Sequence, residues 1–345
     1  MLDYIVVGLG LAGISFCETL RKNNKTFVCY NDSSQQASMV AGGLYNPVIL
    51  KRFTLSWNVT EQLEVANRFY STIEESLDVR FDQKLPVLRR FHSAEEQNLW
   101  FEAADKEPLK PYLSLTLIPN ENNSLHAPVG YGKVLQTGRI DTKVLIESYI
   151  QYLLKKDLLR TESFVHEQLQ FKEDYLEYGG TKAKQIVFAE GYGLAKNPLF
   201  NTLPLQGSKG EYIIVKSAQL KERNAIKSSI FIIPLGNDFY KVGANYNRED
   251  KSNEPTDAAK KELVEKLEKV LDCDYKIVGH VAGVRPTVKD RRPLVGRHPL
   301  HHRSYILNGF GSHGILIGPW AALELYDYIE NGRPLNKEMD IQRFN

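Results

Sequence analysis

The chain has 345 residues, enough for a large core and two domains; 42% of them are apolar, and 44 basic against 42 acidic side chains leave a formal charge of +2. So small a charge supplies no field to recruit nucleic acid or an anionic membrane, and a small-molecule partner is expected. Cys17, Cys29 and Cys273 have no metal or redox spacing and no long apolar run or basic leader is present, which predicts a cytoplasmic protein with reduced thiols.

Tyr4 to Val7 is an apolar, β-branched run; Gly8-Leu9-Gly10-Leu11-Ala12-Gly13 follows, and a helical pattern runs from Ile14 to Lys22. Strand, glycine turn and helix in that order form a dinucleotide cradle. Gly8 allows the tight turn, Gly10 lets backbone approach a pyrophosphate, and Gly13 lets the helix lie on the strand, with the phosphate at the helix N-terminus. Thr26 to Tyr30 is the second strand. Its end, where an acid normally binds a ribose hydroxyl, carries Asn31 and then Asp32; Asn31 is preferred over Asp32 as the ribose contact, with a plain Asx turn as the remaining alternative.

A second glycine turn, Ala41-Gly42-Gly43-Leu44-Tyr45-Asn46-Pro47, suggests another wall of a long cofactor. Apolar residues at Leu63, Ala66, Phe69 and Ile73 predict a helix over Asn58 to Leu77. Leu85 to Phe91 reads as a strand, Ser93 with Glu96 as a capping box for a helix through Ala104, and Asp141 as the cap of a helix from Thr142 to Lys156. Gln185 to Gly191 is a buried strand with a small-residue turn at its end. Strands follow at Glu211 to Lys216, Ser229 to Ile233 and Phe239 to Ala244, then a helix from Thr256 to Leu271. Val278 to Val284 is expected to pair as a hairpin with Arg291 to Gly296. Tyr305 to Leu307 enters Asn308-Gly309-Phe310-Gly311-Ser312-His313-Gly314, which opens a helix from Ile315 to Ile329; a second cradle this late means that the chain returns to the same ligand.

On these motifs the chain resembles the D-amino-acid oxidase and glycine oxidase superfamily of FAD-dependent oxidoreductases over nearly its whole length. Residues 8 to 13 match the FAD fingerprint, Ala41 to Pro47 the loop beside the flavin, and Ala189 and Gly191 an Ala-x-Gly turn. Gly283-Val284-Arg285-Pro286 matches the element whose arginine holds the substrate carboxylate, and Gly309 to Gly314 the loop near the flavin pyrimidine ring. The resemblance implies an α/β fold: a Rossmann-like, glutathione-reductase-type FAD domain from residues 1–75, 135–200 and 280–345, and an α+β substrate domain on a large mixed sheet from 76–134 and 201–279. It implies cofactor contacts at Gly8, Gly10, Leu11, Ala12, Gly13, Asn31, Asp32, Ala41, Gly42, Gly43, Leu44, Val165, Ala189, Gly191, Gly309, Gly311, Ser312, Gly314 and Ile315. Substrate contacts are expected at Arg285, Leu44, Phe231 and Tyr246, and the catalytic set is Arg285, His313 and Gly314, with His313 either facing the flavin or serving the loop backbone.

The implied reaction is oxidation of the C–N bond of a small amino acid or N-substituted glycine, with hydride passing from Cα to flavin N5. Two other readings are a domain acting on a glycine-like group of modified tRNA and a flavin-binding protein without turnover. The sequence departs from the family pattern at Asn31, at Glu190 beside a polyanionic cofactor, and at Phe231, which lacks the hydroxyl of its counterpart. Asn31 and Glu190 would each weaken the hold on FAD. No cysteine lies near the arginine segment, so the flavin is expected to be noncovalent. Tyr212 and Tyr246 lie on strands where packing is the default for each, Lys51-Arg52 reads as a solvated charge pair, and His298, His301 and His302 as a solvated loop.

Overall fold

The computed structural model describes residues 1–344. Strand β1 (Leu2–Val7) leads through the glycine turn into helix α1 (Leu11–Lys22), and β2 (Phe27–Tyr30) returns beside β1 in parallel, Tyr4 opposite Phe27. All four residues of β2 are buried, as a parallel strand covered on both faces must be. Helix α2 (Val59–Leu77) buries Leu63, Ala66, Phe69, Tyr70 and Ile73 along one stripe.

Strand β3 (Val87–Arg90) precedes α3 (Ala94–Ala104). Ser93 Oγ accepts the Glu96 amide, whereas Glu96 reaches one residue further back, to the His92 amide, so half of the expected capping box forms. Strands β4 (Leu113–Ile118) and β5 (Tyr131–Val134) extend the sheet begun by β3. Asp141 caps α4 (Thr142–Lys155) by accepting the Val144 amide at 3.3 Å.

The short β6 (Leu159–Arg160) adds to the edge of β2, and β7 (Leu176–Tyr178) pairs antiparallel with the first half of β8 (Thr181–Phe188). β8 lies beside β1 in parallel, Val7 opposite Phe188. Its second half is free on the other side to take the late strand β14, which gives the first domain its central sheet.

The second sheet is mixed and eight-stranded. It adds β9 (Ser208–Lys216), β10 (Ala225–Lys227), β11 (Phe231–Gly236), β12 (Phe239–Gly243) and β13 (Lys276–Arg285) to β3, β5 and β4. Between β12 and β13, α5 (Asp257–Glu268), capped by Thr256, packs Leu263 and Leu267 on the face formed by Ile213, Val215, Ile226, Ile232 and Val242. Alternation then leaves Gly210, Tyr212, Lys227, Phe231 and Ile233 on the opposite face.

The expected hairpin between residues 278–284 and 291–296 does not form. β13 pairs along its length with β9, from Arg285 opposite Ser208 to Lys276 opposite Lys216, as an edge strand of the mixed sheet. The chain instead crosses to the first domain, where Leu294–Arg297 pairs with β14 (Ser304–Asn308), which joins β8 in parallel. Helix α6 (Gly314–Asn331) follows, and its buried face packs with α1 and α2 in the largest apolar core. No described helix is long and apolar enough to cross a membrane.

Of the three histidines expected in a solvated loop, His302 is exposed, whereas the other two pack. His298 is buried, its Nδ1 accepts the amides of Leu300 and His301, and the His301 ring stacks on Phe171, so packing accounts for two of them.

Candidate functional site

One large cavity of about 1090 Å³ runs from the glycine turn of β1–α1 to the exposed face of the mixed sheet. At its first end the glycines are required by contact. A Cβ on Gly8, which has φ +94°, would strike the Ala189 carbonyl, and one on Gly13 would overlap the Gly8 carbonyl. The α1 N-terminus is therefore pressed against the ends of β1 and β8. The amides of Gly10, Ala12 and Gly13 take part in no hydrogen bond among the described residues, while that of Leu11 is held by Ser38 Oγ at 3.2 Å. Unpartnered amides at a helix start are donors for a pyrophosphate.

Asn31 does not simply wait for a ribose. Its Oδ1 accepts the Leu9 amide at 3.2 Å and so fixes the glycine turn, while Asp32 accepts the Ser34 amide at 2.9 Å as an Asx turn and the Ser163 hydroxyl at 2.8 Å. Both residues line the cavity. Glu190 also lines it, but its carboxylate is engaged: His166 Nε2 lies 2.8 Å from one oxygen and Asn197 Nδ2 2.7 Å from the other. The carboxylate expected to stand against the cofactor is thus engaged by hydrogen bonds within the protein. The hydrogen bond from His166 to that carboxylate raises the imidazole pKa, although burial works against it.

The cavity's middle is built by residues 41–44 and 311–315. Lys241 donates to the carbonyls of Val40 and Ala41 at 3.2 and 2.9 Å, fastening the second glycine turn to the mixed sheet. Burial and the nearby Arg139 cation push the pKa of Lys241 down to about 8. On the other side the amides of Ser312, Gly314 and Ile315, at the start of α6, have no partners among the described residues. His313 is exposed to the cavity, and desolvation by the atoms packed about it, with the Arg291 charge, lowers its pKa. Asn308 ties the late glycine turn to the turn after β8: its Nδ2 donates to the Gly191 carbonyl at 2.9 Å and its Oδ1 accepts the Gly309 amide at 2.7 Å.

At the far end stands Arg285, the last residue of β13. Its guanidinium lies over Gly210, where any side chain would overlap it, and 4.7 Å from the ring of Tyr246, which is 70% exposed. Among the described residues Arg285 has no carboxylate partner, and its buried Nη1 makes no hydrogen bond. A planar cation held in place with an unspent donor is equipped to take a carboxylate.

Of the expected site residues, Gly8, Gly10, Leu11, Ala12, Asn31, Asp32, Ala41 to Leu44, Ala189, Gly191, Phe231, Tyr246, Arg285, Gly311 to Gly314 and Ile315 all line this cavity. Three do not. Gly13 serves helix packing, Gly309 with φ +79° packs against Val288 and Leu294, and the Val165 side chain is exposed while its amide donates to Tyr178. Sequence reasoning passed over Ser38, Lys227 and Asn308. It left Tyr212 to packing, and Tyr212 faces the cavity. Strand alternation from Gly210 was the available signal for Tyr212; the other three depend on long-range pairing.

Comparison with known proteins agrees with this geometry. The family described as FAD dependent oxidoreductase (DAO) matches residues 3–328. Glycine oxidase of Bacillus subtilis (strain 168) is 25% identical over 221 residues, a stretch covering 59% of this chain and 59% of that protein. The fold matches glycine oxidase from Geobacillus kaustophilus with a TM-score of 0.82 at 16% identity, covering 100% and 98% of the two chains. Iminodiacetate oxidase from Chelativorans sp. BNC1 gives 0.78 at 16% identity, covering 97% and 96%. With a fold, unpartnered amides and a cavity that suit FAD, and a match over almost its whole length, the chain belongs to the FAD-dependent oxidoreductase family of the D-amino-acid oxidase type.

Proposed function

We propose that the protein oxidises the C–N bond of a small amino acid or an N-substituted glycine, using noncovalent FAD. The observation that carries this reading is the unpaired Arg285 guanidinium, fixed over Gly210 in the same cavity as the two glycine turns. Bound FAD supplies the two-electron acceptor that no side chain provides. Arg285 pairs with the substrate carboxylate and so sets which C–H points toward the cofactor. The free amides of Ser312, Gly314 and Ile315, at the positive end of α6, favour negative charge developing beside them. The lowered pKa of His313 disfavours a competing cation beside them. Tyr212, Phe231, Ile233 and Leu44 wall the substrate end and limit water around the amine until the imine leaves for hydrolysis. We further propose the division into an FAD domain (1–75, 135–200, 280–345) and a substrate domain (76–134, 201–279); the separate central sheets support it, with β13 crossing the last boundary.

The test is an anaerobic screen of glycine, sarcosine, iminodiacetate and both enantiomers of the common amino acids against purified holoprotein, following flavin absorbance near 450 nm. Bleaching by carboxylate-bearing amines, and not by the corresponding simple amines, is expected. A flavin that no amine reduces would remove the oxidase reading, and a salt-sensitive tRNA gel shift in its place would favour the modified-tRNA alternative.

A further inference from the structure

Charge on the substrate side of the cavity is one-sided. The mixed sheet and the loops joined to it contribute Gly210, Tyr212, Phe231, Ile233 and Tyr246 to the lining, and their only charged members among the described residues are Lys227, Lys251 and Arg285. The acids that line the cavity, Asp32, Glu162 and Glu190, lie at the nucleotide end with the β2 terminus and the 162–166 segment. Lys251 is occupied by backbone carbonyls, those of Gly207 and Arg248. Lys227 is not so occupied: its one polar contact is a weak 3.4 Å approach to the Ser229 carbonyl, and its ammonium sits 4.7 Å from the Phe231 ring.

The surroundings of Lys227 make this unusual. Nearby Arg89 is paired with Glu96 and Lys266 with Glu262, yet among the described residues no carboxylate pairs with Lys227. Burial and these two neighbouring cations push its pKa down to about 8, the mark of a cation without a partner. An unpaired ammonium facing a binding cavity is costly unless an anion arrives with the ligand.

Register gives the separation. Tyr212 is opposite Gly243, Gly243 opposite Phe231, and Phe231 opposite Lys227, one row across four adjacent strands. At about 4.8 Å per strand the backbones of Tyr212 and Lys227 are roughly 14 Å apart, with the Phe231 ring between them. Gly210, beneath Arg285, is two residues from Tyr212 on the same strand. Arg285 and Lys227 therefore stand at two ends of one trough, too far apart to share a single carboxylate.

We propose that the substrate is an amino acid or N-substituted glycine carrying a second anionic group at its far end, with Arg285 holding the carboxylate next to the reacting carbon and Lys227 the distal anion across the Phe231 ring. This rests on the amine-oxidase reading and narrows its substrate class. Phe231, which lacks a hydroxyl, then acts as an apolar floor for the connecting methylenes, and distal acids held by short tethers do not reach.

The experiment uses holoprotein and two homologous series, N-(ω-carboxyalkyl)glycines and 2-aminodioic acids of both configurations, each beside its ω-amide. In the wild type the best-fitting acid should exceed its amide in kcat/KM by roughly 10- to 100-fold, the range for a hydrogen bond to a charged group. Lys227→Met should collapse that ratio to within about threefold, mainly through KM, whereas Lys227→Arg should retain most of it. Binding of unreactive α,ω-dicarboxylates, read as a perturbation of flavin absorbance, should weaken in Lys227→Met in parallel. Amides oxidised as well as acids, or an acid preference that survives Lys227→Met, would overturn the proposal while leaving amine oxidation intact. If no member of either series reduces the flavin while other carboxylate-bearing amines do, the proposal falls; if no amine of the wider screen reduces it, the oxidase reading fails by itself. The dicarboxylate titration then decides Lys227 separately, loss of binding in Lys227→Met supporting its role and unchanged or absent binding ending it.

Discussion

The carboxylate of Glu190 lies 2.8 Å from His166 Nε2, so an acid at the lip of the phosphate cradle is answered by an imidazole from another segment. The pair is mostly shielded, with side-chain exposures of 11% and 14%. Because the folded pKa of His166 is raised above 6.5, its stabilising effect is complete at pH values below 6.5 and fades as pH climbs through the raised value. Wild-type Tm should therefore decline from pH 6 toward pH 8.5 more steeply than that of His166→Gln. Glu190→Ala should not tighten FAD, as removal of a repelling charge would. It leaves His166 and the fully buried Asn197 without their acceptor and should cost about 1–3 kcal/mol of stability, measured by urea unfolding.

Asn31 makes a second prediction about the cradle. Since its Oδ1 holds the Leu9 amide, the loss of this acceptor should matter more than the absence of a negative charge. Asn31→Asp keeps the acceptor and should reconstitute with FAD at least as tightly as wild type. Asn31→Leu leaves the Leu9 amide unpaired and should weaken FAD by roughly 5- to 50-fold, corresponding to about 1–2 kcal/mol. Titration of apoprotein with FAD, followed by flavin fluorescence, gives both values.

Gly13 offers a sterically cleaner case. A methyl group there would overlap the Gly8 carbonyl, which belongs to the turn and cannot yield without moving the strand end. Gly13→Ala should consequently purify with little flavin even though position 13 is helical and alanine favours helices. Full occupancy, read from the ratio of absorbance at 450 to 280 nm, would show that α1 can shift freely on β1.

Local chemistry explains what the sequence made legible. Gly8, Gly10 and Gly13 between an apolar run and a helical stripe announce the cradle, because each glycine answers a short-range demand. The hairpin expected after Arg285 failed because Val278 to Val284 and Arg291 to Gly296 both read as strands with a turn between them. Their true partners, β9 and β14, are set by tertiary placement that no local pattern encodes. Glu190 was misleading for a similar reason: position 190 lies beside the cradle, but His166 and Asn197, whose hydrogen bonds hold its carboxylate, stand 24 and 7 residues away. Lys227 carries no sequence signal at all. Only the register that aligns it with Phe231 and Gly243 reveals that it shares a trough with Arg285.

Arg285 bears the final prediction, since every functional step assumes that it meets the substrate rather than a protein acid. Its Nη1 is buried and unpartnered, Tyr246 stacks near its plane, and Gly210 leaves the space it fills. Removing the side chain therefore breaks no internal ion pair, and Arg285→Ala should keep its FAD and its stability within about 1 kcal/mol of wild type. Turnover should suffer instead: kcat/KM for the best carboxylate-bearing substrate should fall roughly 10- to 150-fold, as for loss of a charged hydrogen bond worth about 1.5–3 kcal/mol. Arg285→Lys restores charge without the two-pronged geometry and should fall between the two. Gly210→Ala tests the same contact from the other side, because its methyl group must displace the guanidinium without altering any titratable group. It should raise KM for carboxylate-bearing amines while the visible spectrum of the flavin stays that of wild type. Wild-type efficiency in both Arg285→Ala and Gly210→Ala would mean that the carboxylate is held elsewhere in the cavity.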